Sequence, residues 1–181
     1  MRGIYRMKKV LLLAGVAGMV AANAEAIDVT PYVGLDAAYS TVASDSGSYV
    51  SSKNWSLAGV LGARTDHYGI EGYFDNGIRE HKENFTTRNT KYGIDFLGFQ
   101  QLGCSGRWEG VASAGFTWNR IRGHWNGFSD NEYGYGERLG AGLQYALTEK
   151  TALRAMYHYN WVHKSFVNHF NEVSLGVRYS L

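Results

Sequence analysis

Alternation of apolar and polar residues in eight separate segments predicts an all-β chain, an eight-stranded antiparallel up-and-down β-barrel that crosses a membrane. Two further observations point the same way. The connections alternate between short turns and long polar loops, and large aromatic residues gather at both ends of the segments, on the apolar face. A water-soluble sheet would turn its polar face to solvent and its apolar face to a core. In a membrane barrel the apolar face meets lipid and the polar face lines a closed interior.

The chain begins "MRGIYRMKKVLLLAGVAGMVAANAEA", which has the three parts of a secretory signal. Arg2, Arg6, Lys8 and Lys9 supply the positive start, Val10 to Met19 an apolar run, and Ala24-Glu25-Ala26 a small-x-small cleavage pattern. The run falls short of the roughly 20 apolar residues of a membrane-spanning helix. Cleavage is expected after Ala26, with Ala24 the near alternative. Residues 1–26 are therefore read as a signal peptide and 27–181 as one β-barrel domain.

The first strand is expected over Val29 to Tyr39, with Val33, Leu35, Ala37 and Tyr39 on one face and Asp36 on the other. Pro31 sits at its start, where a missing amide costs least. The second, Trp55 to Ala63, shows Trp55, Leu57 and Leu61 outward, and Ser56 and Arg64 in the opposite phase. The third, Tyr68 to Phe74, sets Tyr68, Ile70 and Phe74 against Glu71 and Tyr73. The fourth, Tyr92 to about Phe99, sets Tyr92, Ile94 and Phe96 against Lys91 and Asp95, but its end, "FLGFQQ", has no clear phase.

The fifth, Trp108 to Trp118, alternates Trp108, Ala112, Ala114, Phe116 and Trp118 with Glu109, Ser113 and Thr117. The sixth and seventh lie in "RLGAGLQYALTEKTALRAMYHYNW", two alternating runs joined by Thr148-Glu149-Lys150. The eighth is "NEVSLGVRYSL". Short turns are expected at Thr65 to His67, Leu102 to Gly106 and Thr148 to Lys150, and long loops at Thr41 to Asn54, Asn76 to Asn89, Arg120 to Glu132 and Val162 to His169.

With both termini on the inner side, Tyr39, Trp55, Phe74, Trp118, Tyr159 and Trp161 fall at outer strand ends, and Tyr68, Trp108, Tyr145 and Tyr179 at inner ends. Amphipathic rings at both rims of a hydrocarbon band form an interfacial girdle. The opposite phase carries Asp36, Glu71, Asp95, Glu109 and Glu172 against Lys91, Arg138, Arg154 and Arg178, with His158 among them. An eight-stranded barrel is just wide enough for side chains to fill it. Buried charges there must pair, so a salt-bridged plug is expected in place of an open pore. Gly34, Gly62, Gly140, Gly142 and Gly176 share that phase and leave room for the long side chains opposite.

Composition excludes several classes. The formal net charge is +2 with both signs interspersed, which gives no case for nucleic acid. The single Cys104 rules out an internal disulfide. His67, His81, His124, His158, His163 and His169 show no metal-ligand spacing, and no cofactor is expected.

"RLGAGLQYALTEKTALRAMYHYNW" followed by "NEVSLGVRYSL" resembles the closing hairpin and last strand of the small outer-membrane β-barrels, the porin-family and opacity-type surface proteins related to the OmpA and OmpX barrels. The resemblance implies eight antiparallel strands, residence in the outer membrane of a Gram-negative bacterium, insertion by the barrel assembly machinery, and external loops that carry surface interactions. Family members usually end on an aromatic residue as an assembly signal. Here the last residue is Leu181, and less efficient insertion is expected.

The function expected is a non-enzymatic, monomeric scaffold, in contact with lipid and lipopolysaccharide, that displays four loops for adhesion or host interaction. Trp125, Phe128 and Phe166 in the loops motivate adhesion; Lys82, Arg88, Arg120, Arg122 and Lys164 are candidates for lipopolysaccharide phosphates or simply a solvated face. One alternative is a lipid A deacylase-like hydrolase, also an eight-stranded barrel. In "RAMYHYN", however, the residue two beyond His158 is Asn160, where that enzyme has Ser, and His158 is in interior phase. Glu172 matches the acid, and His163-Lys164-Ser165 offers a second His-x-Ser. A narrow small-solute porin is the other alternative.

Overall fold

The computed structural model describes residues 28–43, 53–78, 80–82, 85–125, 128–163 and 169–181. Nine strands follow one another: β1 (Thr30–Ala43), β2 (Lys53–Arg64), β3 (Tyr68–Gly77), β4 (Glu80–Lys82), β5 (Phe85–Leu102), β6 (Trp108–Trp125), β7 (Phe128–Ala146), β8 (Thr151–His163) and β9 (His169–Ser180). Every pairing is antiparallel, and β9 pairs with β1 from Tyr32↔Ser180 to Ala43↔His169, which closes the sheet. The short β4 continues the line of β3 along β5, one residue out of step: Asn76 faces Thr90, but Glu80 faces Thr87. The barrel wall is thus eight strands, with β4 a continuation of one of them. Closure leaves no open edge, as a spanning sheet requires in hydrocarbon, where no water can satisfy a free amide.

Burial alternates along the strands with the predicted phase. On the outside, Leu35, Leu57, Leu61, Phe96, Phe116 and Leu175 are each more than half exposed. Inside, Lys91, Asp95, Arg154 and Glu172 are nearly inaccessible. A soluble protein would invert this distribution. No helix among the described residues is long and apolar enough to cross a membrane.

Two sequence expectations are corrected. The stretches 76–89 and 120–132 are not long loops: the β5–β6 ladder runs from Leu102↔Trp108 to Phe85↔Trp125, and the β6–β7 ladder from Trp108↔Tyr145 to Trp125↔Phe128. Strands β5, β6 and β7 reach 18, 18 and 19 residues. Alternation fades there because it needs lipid on one face and a closed interior on the other. Above the hydrocarbon both faces are wet, yet each added pair still satisfies backbone amides and carbonyls. The second correction concerns "FLGFQQ". Leu97 and Phe99 point inward, where they form a buried apolar cluster with Val111 and Met156. Apolar residues on both faces erase a period of two.

Sharp turns join the inner ends. At Thr65 to Tyr68, the Thr65 amide donates to the Tyr68 carbonyl at 2.8 Å and the Thr65 hydroxyl accepts from the Tyr68 amide at 3.2 Å. The 102–106 turn needs left-handed backbone at Gly103 (φ 73°) and Gly106 (φ 66°).

Candidate functional site

The interior holds two clusters of charge. The inner one begins at the mouth, where Arg64 grips Glu109 with two parallel bonds of 2.7 and 2.8 Å. Gln144 donates to Glu109 at 2.7 Å and accepts from Arg154 Nε at 2.8 Å. Arg154 then donates to Glu71 at 2.7 Å, and the Tyr32 hydroxyl donates to the same carboxylate at 2.8 Å. Arg178 spans Glu71, with two contacts of 3.3 Å, and Asp36. Phe99 lies under two of these cations, 4.0 Å from Arg64 and 5.5 Å from Arg154. This chain of bonds crosses the inner half of the lumen.

The outer cluster centres on Glu172, which takes Lys91 on one oxygen and Arg138 at 3.0 Å on the other. Lys91 also holds Asp75 at 2.8 Å. Arg138 lies over the Tyr73 ring at 4.3 Å, and its Nη2 is 2.8 Å from His158 Nδ1. A guanidinium has no acceptor, so Nδ1 must accept and His158 is the neutral tautomer protonated on Nε2.

The predicted interior residues Asp36, Glu71, Lys91, Asp95, Glu109, Arg138, Arg154, His158, Glu172 and Arg178 all point into the lumen, and each has at least one charged or histidine neighbour there. Asp75 and Tyr32 belong to the same clusters and were not among the expected interior residues, whereas Arg64, expected in the interior phase, joins them as the partner of Glu109. One more step of the Glu71, Tyr73 alternation would have found Asp75; the predicted strand stopped at Phe74. The interior glycines are sockets. A side-chain carbon on Gly34 would meet Arg178, on Gly62 Tyr32, on Gly140 His158, on Gly142 Met156 and on Gly176 Asp36.

Outside, the rings predicted for the rims occupy the apolar face and pack on one another. Across strands Tyr39 lies 5.0 Å from Trp55 and Trp108 lies 4.7 Å from Tyr145, and along β8 Tyr159 lies 4.5 Å from Trp161. Trp118 stacks on Tyr92, a further ring of this face. Tyr68, Phe74 and Tyr179 stand exposed beside them. The cleavage residues Ala24 and Ala26 lie outside the described residues.

Catalytic geometry is sparse. His158 is buried against Arg138 and Glu172, out of reach of a lipid chain. His163 points outward instead and meets Glu137 at 2.7 Å, with both half exposed; Ser165 lies outside the described residues. Among the described residues, no three His, Cys, Asp or Glu side chains converge on a metal position.

Residues 10–180 match the family model described as an outer membrane protein beta-barrel domain. No curated protein sequence matches the chain. Among solved structures, Neisserial surface protein A (NspA) is similar at a TM-score of 0.71 and 22% identity, covering 85% of this chain and 99% of that one. Ail, the attachment invasion locus protein of Yersinia pestis, follows at 0.62 and 17%, covering 86% and 100%. The N-terminal β-barrel domain of Pseudomonas aeruginosa OprF gives 0.58 and 17%, covering 85% and 100%. At these identities the likeness is one of fold.

Proposed function

The chain belongs to the outer membrane protein beta-barrel domain family, and from that premise we propose that it is a non-catalytic display scaffold of the outer membrane, anchored by its barrel and acting through its outer hairpins. The observation that carries this reading is the length of β5, β6 and β7. A tilted strand crosses hydrocarbon in about 9–11 residues. The excess, about eight residues at roughly 3.3 Å each, carries the sheet some 25 Å further along the strand direction. At its tip Phe85 faces Trp125, and Trp125 faces Phe128 across the next ladder. Three aromatic positions side by side, beyond the lipid, suit contact with a foreign surface.

Lower on the same ladder, Arg88 and Arg122 hold partner positions in the backbone register. Two basic residues at one level of the sheet suit an anionic ligand. Lipopolysaccharide phosphate is the anion at hand in this membrane, and a sulfated glycan presents the same chemistry. Ail has been crystallised with a heparin analogue, sucrose octasulfate, which makes that compound a suitable probe here.

The test replaces residues 121–132 by a tight turn. The shortened barrel should still show a heat-modifiable band on SDS gels, and cells carrying it should lose binding to host cells and to heparin. Undiminished binding would remove the hairpin from the proposal. Pore and hydrolase readings make different predictions: stepwise conductance in planar bilayers for the first, fatty acid released from lipid A for the second. The continuous plug from Arg64 to Asp36 favours neither flow nor an accessible catalytic histidine.

A further inference from the structure

One acid breaks the rule that charge points inward. Whereas Asp36, Glu71, Asp95 and Glu172 face the lumen, Glu137 on β7 stands in the opposite phase, on the wall that meets lipid. Among the described residues it is the one acid on the outer side of a strand. Its side chain is half exposed, and His163 Nε2 lies 2.7 Å from its Oε2. A carboxylate has two oxygens and about four acceptor sites, so one histidine does not exhaust it.

The neighbours of Glu137 are rings. Its ladder partners are Phe116 on β6 and Trp161 on β8, and the next outward-facing residue beyond it is Tyr135, which faces Trp118. All four rings are exposed on the outer face. In the other direction the same face of β7 continues as Leu139, Ala141 and Leu143, the lane that acyl chains cover. Glu137 is thus the first charged group met above the hydrocarbon on this strand, among the aromatic residues that mark the head-group level. An ionisable side chain on a lipid-facing wall is costly unless it has a partner. Histidine supplies a full countercharge only when protonated. Arg120, two outward-facing positions further along the ladder, is drawn over the Tyr133 ring at 5.3 Å.

We propose that Glu137, with the neighbouring rings of Phe116, Trp161 and Tyr135, holds the ammonium of a lipid head group whose chains lie over Leu139, Ala141 and Leu143. The carboxylate supplies the opposite charge, and aromatic faces attract a cation through their quadrupole. Both features repel a phosphate, which sets this place apart from the basic positions of the hairpins. Its place at the head of an apolar lane favours an amine tied to acyl chains over a free one in solution. The site is independent of what the outer hairpins bind.

The test follows lipid retained by the folded barrel in a non-ionic detergent, read by native mass spectrometry with phosphatidylethanolamine or phosphatidylglycerol of the same chains. The two share phosphate and chains, and only the first carries an ammonium. Wild type should keep one phosphatidylethanolamine through collision energies that strip phosphatidylglycerol. Glu137→Gln should lose phosphatidylethanolamine as readily as the wild type loses phosphatidylglycerol, whereas His163→Ala, which keeps the carboxylate, should retain it. Equal retention of both lipids by the wild type, or phosphatidylethanolamine kept undiminished by Glu137→Gln, would overturn the site. So would a loss in His163→Ala as large as in Glu137→Gln, since the charge would then not be what binds. A heat-modifiable band checks that each variant has folded; should Glu137→Gln not fold, the wild-type comparison of the two lipids decides.

Discussion

Replacing Glu71 by glutamine is the sharpest perturbation of the plug, because shape is kept and only charge is removed. The carboxylate accepts from Arg154 at 2.7 Å, from Tyr32 at 2.8 Å and twice from Arg178 at 3.3 Å. An amide offers one acceptor oxygen, and its nitrogen would face donors. Arg178 keeps Asp36, whereas Arg154 keeps the neutral Gln144. Removing one partner of a buried pair costs about 3–5 kcal/mol, and the surviving Arg178–Asp36 pair places this case near the lower end, about 3 kcal/mol. With a urea slope of about 1–3 kcal/mol/M, the unfolding midpoint should fall by roughly 1–3 M. Tryptophan fluorescence of the refolded barrel in detergent reads it directly. Adding Arg154→Gln to Glu71→Gln should restore part of the loss, since the stranded cation is gone. A loss below about 1 kcal/mol, the scale of an exposed pair, would refute the buried-plug reasoning. So would a double variant no better than the two single losses combined.

Three other expectations test the wall, the sockets and the terminus. Leu175, 60% exposed in mid-strand, faces lipid, so Leu175→Arg should cost about 2–4 kcal/mol in bilayer folding assays, and a neutral effect would turn the barrel inside out. Gly176→Ala pushes a methyl to within 2.7 Å of the Asp36 carboxyl carbon, whereas Gly59→Ala meets nothing within 4 Å. Only the first should lower the unfolding free energy, by about 1–3 kcal/mol, and equal effects would contradict the socket assignment. Leu181 is tied to β1 through its amide and the Pro31 carbonyl. Leu181→Pro removes that donor and should lower stability by about 1 kcal/mol in a urea titration, and an unchanged midpoint would discount this bond.

Most of the wall was legible in the sequence because lipid and lumen impose opposite demands on successive residues. Leu143, Leu153 and Leu175 could be assigned outward, and Arg154 and Glu172 inward, from parity alone. Legibility failed where that contrast failed. Leu97 and Phe99 packed apolar surface against Val111 and Met156 on the supposedly polar side. Beyond Trp118, water on both faces removed the pattern while the ladder went on to Trp125. Partner choice was not legible at all. That Arg178 reaches Asp36 and Glu71, or that Glu71 faces Asp95 across the β3–β5 pair, depends on the stagger between strands, and no single strand encodes it.

The glycine sockets carry an evolutionary consequence. Each bare backbone position is the seat of a bulky residue on an adjacent strand, so neither member can drift alone. A methyl gained at Gly140 demands a smaller tenant than His158, and a shorter tenant leaves a void that invites a larger host. Relatives of this barrel should therefore trade interior residues in tightly covarying couples, while their lipid-facing aliphatics interchange freely.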